Sequence, residues 1–216
     1  MEELRAIYEN RFAAAAQDRV MVWQVLAHEF FQRWVPQEGT VLDLGAGYCE
    51  FINAIAARRK IAIDLNPSTP RMAAPGVEVI AQDVAVEWPV QENSVDAVFT
   101  SNFLEHLPNT DVLVSALGEA YRVLRPGGRL IAMGPNIRFC FNVYWDFIDH
   151  HLALSDRSVS EALRLVGFEV ERVTPRFLPF TMTGRRPRKF LLQTYLRLPL
   201  LWRIFGQQFL VIAKKP

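Results

Sequence analysis

The sequence predicts an α/β fold: a seven-stranded, mostly parallel sheet with helices on both faces. Short apolar runs alternate with helical patterns along most of the chain, and a glycine turn, Gly45-Ala46-Gly47, joins the first run directly to a helix. Strands and helices alternating at this length pair in parallel through right-handed crossovers. At 216 residues, half of them hydrophobic, the chain has the size and composition of one packed domain.

In chain order, residues 11–35 space apolar side chains at three and four, notably Val22, Val25, Leu26, Phe30 and Trp34, which predicts a helix with one buried face. Val41 to Leu44 reads as the first strand, followed by the glycine turn and a helix over 50–57. Further strands are expected at 61–65, 77–80 and 95–100. Asn109 or Thr110 caps the next helix, which Pro126-Gly127-Gly128 stops before a fifth strand at 130–133. Ser158 and Glu161 have capping-box spacing for a helix ending at Gly167, and the last strands are expected at 168–173 and 208–213. Residues 174–206 form a long excursion between them, of a length that usually serves function.

Composition excludes several classes. The N-terminus carries charges from its second residue and has no apolar segment before a small-residue cleavage site, so a cytoplasmic protein is expected. Cys49 and Cys140 have no partner Cys or His at metal-ligand spacing, which predicts no disulfide, no metal and two bystander thiols. The net charge of +1 is unevenly spread: residues 172–216 hold ten Lys and Arg and no acid, against a net of −9 in the first 171 residues (14 Lys and Arg, 23 Asp and Glu). Such asymmetry marks either a surface for an anionic partner or a solvated basic face. The apolar stretch 190–205 is broken by Arg197, Pro199 and Arg203 and is shorter than the roughly 20 residues that span a bilayer.

In an open parallel sheet the ligand crevice lies beyond the carboxyl ends of the strands. The polar residues sit there: Asp43 and Gly45 at the first strand, Asp64 at the second, Asp83 after the third, Ser101-Asn102 after the fourth. Gly45 and Gly47 allow a sharp turn and close backbone approach to a ligand, and Asp64 follows at about twenty residues, the reach of an acid that accepts hydrogen bonds from ribose hydroxyls. A nucleoside is implied. Asp43 narrows the choice, because a carboxylate there repels a pyrophosphate and favours an ammonium or sulfonium cation, unless it serves only to accept loop amides. Glu50 stands where a dinucleotide-binding turn has its third glycine, so a nicotinamide dehydrogenase is disfavoured.

At these residues the chain resembles the S-adenosylmethionine-dependent methyltransferases with a Rossmann-like sheet, in the type 11 and ubiquinone-biosynthesis-like group. The matching pieces are VLDLGAGYCEF (41–51), AIDLNP (62–67), AQDVAVEWPV (81–90), VDAVFTSNFLEHLP (95–108) and LRPGGRLIAMGPN (124–136), in the family's order over roughly residues 35–136, with a fainter match from Ser158 through Val173. The resemblance implies S-adenosyl-L-methionine as cofactor and a last strand inserted antiparallel. It puts Asp43, Gly45, Ala46 and Gly47 around the methionine part, Asp64 and Leu65 at the ribose, Asp83 and Val84 at the adenine, and Asn102 on the sulfonium side. A leading helix often covers the cofactor in this family. Tyr8, Arg11 and Phe12 are placed for that, Arg11 being a candidate partner of the methionine carboxylate or else a solvated helix residue. The expected organisation is a single domain: a helical cap (1–35), a cofactor-binding core (36–136) and substrate-side elements with the last strands (137–216).

Methyl transfer is an in-line displacement, helped by positioning and, where the acceptor must lose a proton, by a base. His106, His150 and His151 are the candidate bases; His106, in LEHLP, is expected to be structural or cleft-lining, and the aromatic run 139–147 either walls an acceptor pocket or belongs to the core. SNFLEHLP lacks the Asn-Pro-Pro or Asp-Pro-Pro pattern of nucleobase and amide nitrogen methylation, so a small-molecule, sugar (glycan) or lipid-linked acceptor is expected and nucleic acid is not. The alternative is a cofactor-binding regulatory or scaffold protein without turnover. For 185–205, with Arg185, Arg186, Arg188 and Lys189 ahead of an apolar segment, two readings stand: peripheral membrane contact, or a helix docked on the sheet with its basic residues in water, the latter favoured because Pro199 breaks a long surface helix.

Overall fold

A computed structural model of the chain describes residues 16–180 and 188–216. Helix α1 (Ala16–Val25) runs on through a π turn (Leu26–Phe30) and a 3-10 turn (Phe31–Trp34) rather than as one α-helix. The core elements follow: β1 (Thr40–Leu44), α2 (Glu50–Ala54), β2 (Arg59–Ile63), α3 (Thr69–Met72), β3 (Val77–Ile80), β4 (Val95–Ser101), α4 (Thr110–Val123) and β5 (Leu124–Pro135). The chain finishes with α5 (Ile137–Tyr144), α6 (Asp156–Val166), β6 (Glu169–Thr174), α7 (Lys189–Arg197), α8 (Pro199–Phe205) and β7 (Gln208–Lys214).

The seven strands lie in the order β3-β2-β1-β4-β5-β7-β6, with β1 to β5 parallel and β7 antiparallel to both neighbours. Successive side chains in a strand point to opposite faces, and both faces are apolar. Leu42, Leu44, Ile61, Ile63 and Val98 pack on one side with α4 and α6; Val41, Ala62, Ala97 and Phe99 pack on the other with α1, α2, α7 and α8. The chain departs from β1 toward β2 and β3, and then from β4 toward β5. Strand order therefore reverses between β1 and β4, and a crevice opens beyond their carboxyl ends.

Element ends differ from expectation where local chemistry decides. Strand β2 stops at Ile63, so Asp64 and Leu65 lie past it in the crevice. Strand β5 runs through Pro126-Gly127-Gly128, because Val95 pairs with Leu124 and the register shifts before Ala97 pairs with Arg129. Helix α6 is capped by Ser155, not Ser158: Ser155 Oγ accepts from Ser158 N–H at 3.1 Å, and Ser158 Oγ from Ser155 N–H at 2.9 Å, so Ser158 takes the role expected of Glu161. Both thiols are free and buried.

The excursion after β6 docks on the sheet. Leu192, Leu196 and Trp202 are buried, and Phe30 gathers Phe177 and Trp202 at ring-centroid distances of 4.6 and 5.7 Å. The Trp202 indole N–H donates to the Tyr195 carbonyl at 2.8 Å, and the Tyr195 hydroxyl donates to the Phe177 carbonyl at 2.6 Å, tying α8 to α7 and both to the segment leaving β6.

Candidate active site

The glycine turn is held from below. Gly45 and Ala46 N–H donate to the Ile63 carbonyl at 2.9 and 3.3 Å, joining the loop to the end of β2. Gly45 takes φ +72°, and a Cβ there would come within 2.1 Å of the Phe103 ring, so glycine lets Phe103 from the β4 side lie over the turn. Gly47, at φ +51°, donates its N–H to Asp64 Oδ2 at 2.6 Å, while Asn66 N–H donates to Asp64 Oδ1 at 2.6 Å. Each carboxylate oxygen has further lone-pair capacity, so Asp64 still has acceptor sites for hydroxyls.

Three acids crowd this loop. Asp43 is buried, and that burial, with Asp64 and Glu50 nearby, holds its carboxyl well above the usual carboxylate range against an opposing backbone hydrogen bond from Ile52. Burial also raises Glu50, opposed by Arg19. Arg19 Nη2 stands 2.6 Å from Glu50 Oε1, with its guanidinium 5.3 Å over the Tyr48 ring. The leading helix thus meets the glycine turn through Arg19, a contact that one-dimensional spacing does not reveal. Tyr8, Arg11 and Phe12 lie outside the described residues.

Asp64, Leu65, Asp83 and Val84 line one cleft of about 240 Å3, closed on its other side by Phe103, His106 and Leu107. Asp83 Oδ1 accepts from Ala85 N–H at 2.9 Å, which fixes the turn after β3. Asn102 adopts φ +48°, a left-handed conformation uncommon for a residue with a side chain. Its N–H donates to the Met133 carbonyl at 2.9 Å and its amide to Ser101 Oγ at 3.0 Å. Four of the expected cofactor residues therefore share a cleft wall, with the glycine turn beneath Phe103. Asn102 stands at the end of β4, beside Phe103 and outside the lining of the cleft.

The three histidines have different surroundings. His106 lines the cleft; its Nδ1 is 2.8 Å from the Asp149 carbonyl and 3.5 Å from Asp149 Oδ2, and its Nε2 is 3.9 Å from Glu105 Oε1. His150 is buried, stacked on Phe147 at 5.1 Å and edge-on to Tyr144 at 4.7 Å. His151 is exposed, and its backbone N–H donates to the Glu105 carbonyl at 2.8 Å. Glu105 is wholly buried, and burial pushes its carboxyl up to about 7 although His106 pulls it down. Glu105, His106 and His150 each offer a ligand atom within 4.8 Å of the other two, a set whose composition could hold a metal ion. Cysteine spacing gives no hint of it, because His150 reaches the other two only through the fold. The aromatic run divides: Cys140 and Tyr144 are core, while Phe141 and Trp145 are exposed.

A sheet ordered 3-2-1-4-5-7-6 with an antiparallel β7 is the fold class of the Rossmann-like methyltransferases. Residues 42–132 match the family described as "Methyltransferase domain", and the chain carries a methyltransferase domain of that class. It is 35% identical over 157 residues to a Mycolicibacterium smegmatis protein named "Probable S-adenosylmethionine-dependent methyltransferase", covering 70% of this chain and 58% of that protein. It is 29% identical to a malonyl-[acyl-carrier protein] O-methyltransferase of Methylococcus capsulatus, covering 66% of this chain and 56% of that one. The chain thus spans little more than half the length of these curated relatives. Among solved structures, an Archaeoglobus fulgidus SAM-dependent methyltransferase superposes with a TM-score of 0.70 at 18% identity, covering 98% of this chain and 99% of that one, a likeness of fold.

Proposed function

We propose that this chain binds S-adenosyl-L-methionine in the cleft beyond β1, β2 and β4 and transfers its methyl group to a small-molecule, sugar or lipid-linked acceptor. The observation that carries the reading is the Asp64 carboxylate, anchored to the glycine turn through Gly47 and facing the same cleft as Asp83 and Val84. In this reading Asp64 and Leu65 meet the ribose, Asp83 and Val84 the adenine, and Asp43 with the Gly45–Gly47 turn the methionine part. Asn102 stands toward the sulfonium. The three acids at the turn disfavour a pyrophosphate, and a cationic donor would relieve the burial and mutual repulsion that push the Asp43 carboxyl up.

Once bound, the cofactor supplies an activated methyl carbon, and the chain's residues orient it and exclude water. Of the three histidines, His106 lines the cleft and is the one suited to take a proton from an acceptor, its ring oriented by the Asp149 carbonyl. The enclosed ring of His150 suits it to supporting His106 instead.

The test is transfer of label from methyl-labelled S-adenosylmethionine into sugar, small-molecule and lipid fractions of a cell extract, with Asp64→Ala as control. Label in an extractable product, lost with Asp64→Ala, supports the reading. Cofactor binding without transfer into any fraction favours a regulatory or scaffold protein, and absence of binding overturns both.

A further inference from the structure

Helices α7 and α8 are docked by three buried side chains, yet much of their apolar surface faces outward. Phe190, Leu191, Leu198, Leu200, Ile204 and Phe205 are between 47% and 72% exposed, six of the fifteen large apolar side chains that are exposed among the described residues. The exposure is ordered. Leu200, Arg203 and Ile204 stand at i, i+3 and i+4 and so share one face of α8; Phe190 and Arg197, at i and i+7, share one face of α7. Folding has buried the opposite faces through Leu192, Leu196 and Trp202 and left these to the surroundings. An exposed patch this dense marks an interaction surface.

Its charge selects the partner. Arg188, Lys189, Arg197 and Arg203 are all exposed, and residues 172–216 contain no acid. Glu29 approaches Arg197 only to 3.8 Å, at a side chain that is 77% exposed, a pairing worth little in water. Arg33, Arg172 and Arg197 also line an open cleft of about 550 Å3 against α7 and α8, adding basic side chains beside the apolar ones. Large apolar side chains interleaved with cations, on helices of nine and seven residues, have the composition of an element that lies in the interface of an anionic bilayer. No helix among the described residues is long and apolar enough to cross a membrane, which leaves attachment at the surface. Arg176 ties the patch to α5: it donates to the Ile204 and Gly206 carbonyls at 2.9 and 2.7 Å while its guanidinium lies 5.0 Å over the ring of Phe139.

We propose that α7 and α8 form a membrane-docking surface that seats the protein on anionic lipid bilayers, the apolar side chains entering the acyl boundary and the four cations meeting headgroup phosphates. The proposal stands independently of methyl transfer.

The full chain is sedimented with vesicles of phosphatidylcholine alone and of phosphatidylcholine mixed with phosphatidylglycerol. One variant carries Leu200→Ser, Ile204→Ser and Phe190→Ser; a second carries Lys189→Glu, Arg197→Glu and Arg203→Glu. All six positions are exposed, and unchanged thermal unfolding shows that the fold is intact. The expected result is binding to the anionic vesicles, at least about tenfold weaker binding to the neutral ones, and losses of about tenfold or more in each variant. Equal binding by wild type and both variants, or no binding to anionic vesicles, overturns the proposal. So does concentration-dependent self-association that both variants abolish without any vesicle binding, which assigns the patch to contact between copies of the chain.

Discussion

Asp43 is buried beside two other acids, a costly arrangement in the absence of a cation. With Asp43 at the methionine part, the α-ammonium that S-adenosylmethionine and S-adenosylhomocysteine share would supply the missing charge. Asp43→Asn is therefore expected to weaken both ligands by about tenfold in paired titrations, and unchanged affinity for both counts against this role. Glu105 makes a prediction in pH. Its folded carboxyl lies near 7 against the usual 4.5, so between those values the folded chain keeps a proton that the unfolded chain releases. Stability is highest below about pH 4.5 for this group, falls as pH rises through about 7, and is level above. Glu105→Gln removes the dependence. In chelator-treated protein, the stability of the wild type relative to this variant drops by on the order of 3 kcal/mol from pH 4 to pH 8 in urea unfolding, and a pH-independent difference contradicts the assignment. For His106→Ala the expected loss is about 10²-fold or more in turnover with cofactor affinity nearly unchanged, if the acceptor gives up a proton.

Among the elements, the docking of α7 and α8 rests on a few large side chains. Trp202 is buried against Phe30 and Phe177 and bonded to Tyr195, so Trp202→Ala is expected to cost about 3–5 kcal/mol in chemical denaturation; a cost below about 1 kcal/mol contradicts the packing described. The elements most legible in the sequence are those whose signal is local. Asn109 caps α4 by accepting from Val112 N–H at 3.0 Å, and Gly167 closes α6 at φ +109°, both at the expected positions. Less legible are features set by tertiary partners. Pairing of Val95 with Leu124 extends β5 through a Pro-Gly-Gly turn signal, and Ser158 supplies the side chain that closes the capping box with Ser155. The π and 3-10 turns after α1 leave no pattern that periodicity could detect.

For the molecule as a whole, sheet order explains why the candidate cofactor residues, spread over forty-two positions from Asp43 to Val84, meet in one place. Asp43, the Gly45–Gly47 turn, Asp64 and Asp83 are legible because strand ends carry them. Arg19, Glu105 and Asp149 are not, because each acts through a contact that the chain makes only when folded: Arg19 with Glu50, and the 105–106 segment with 149–152. The same holds for the exposed apolar faces of α7 and α8, whose sequence favours docking through Pro199 and does not show which face stays bare. The structure has them docked on one side and bare on the other.

Calorimetric titration of S-adenosylhomocysteine into the wild type and into Asp64→Ala decides whether this cleft is the cofactor site. A single site per chain is expected in the wild type, with affinity lower by about tenfold or more in the variant while its thermal unfolding still shows a folded protein. No binding by the wild type, or equal binding by a folded Asp64→Ala, contradicts the account.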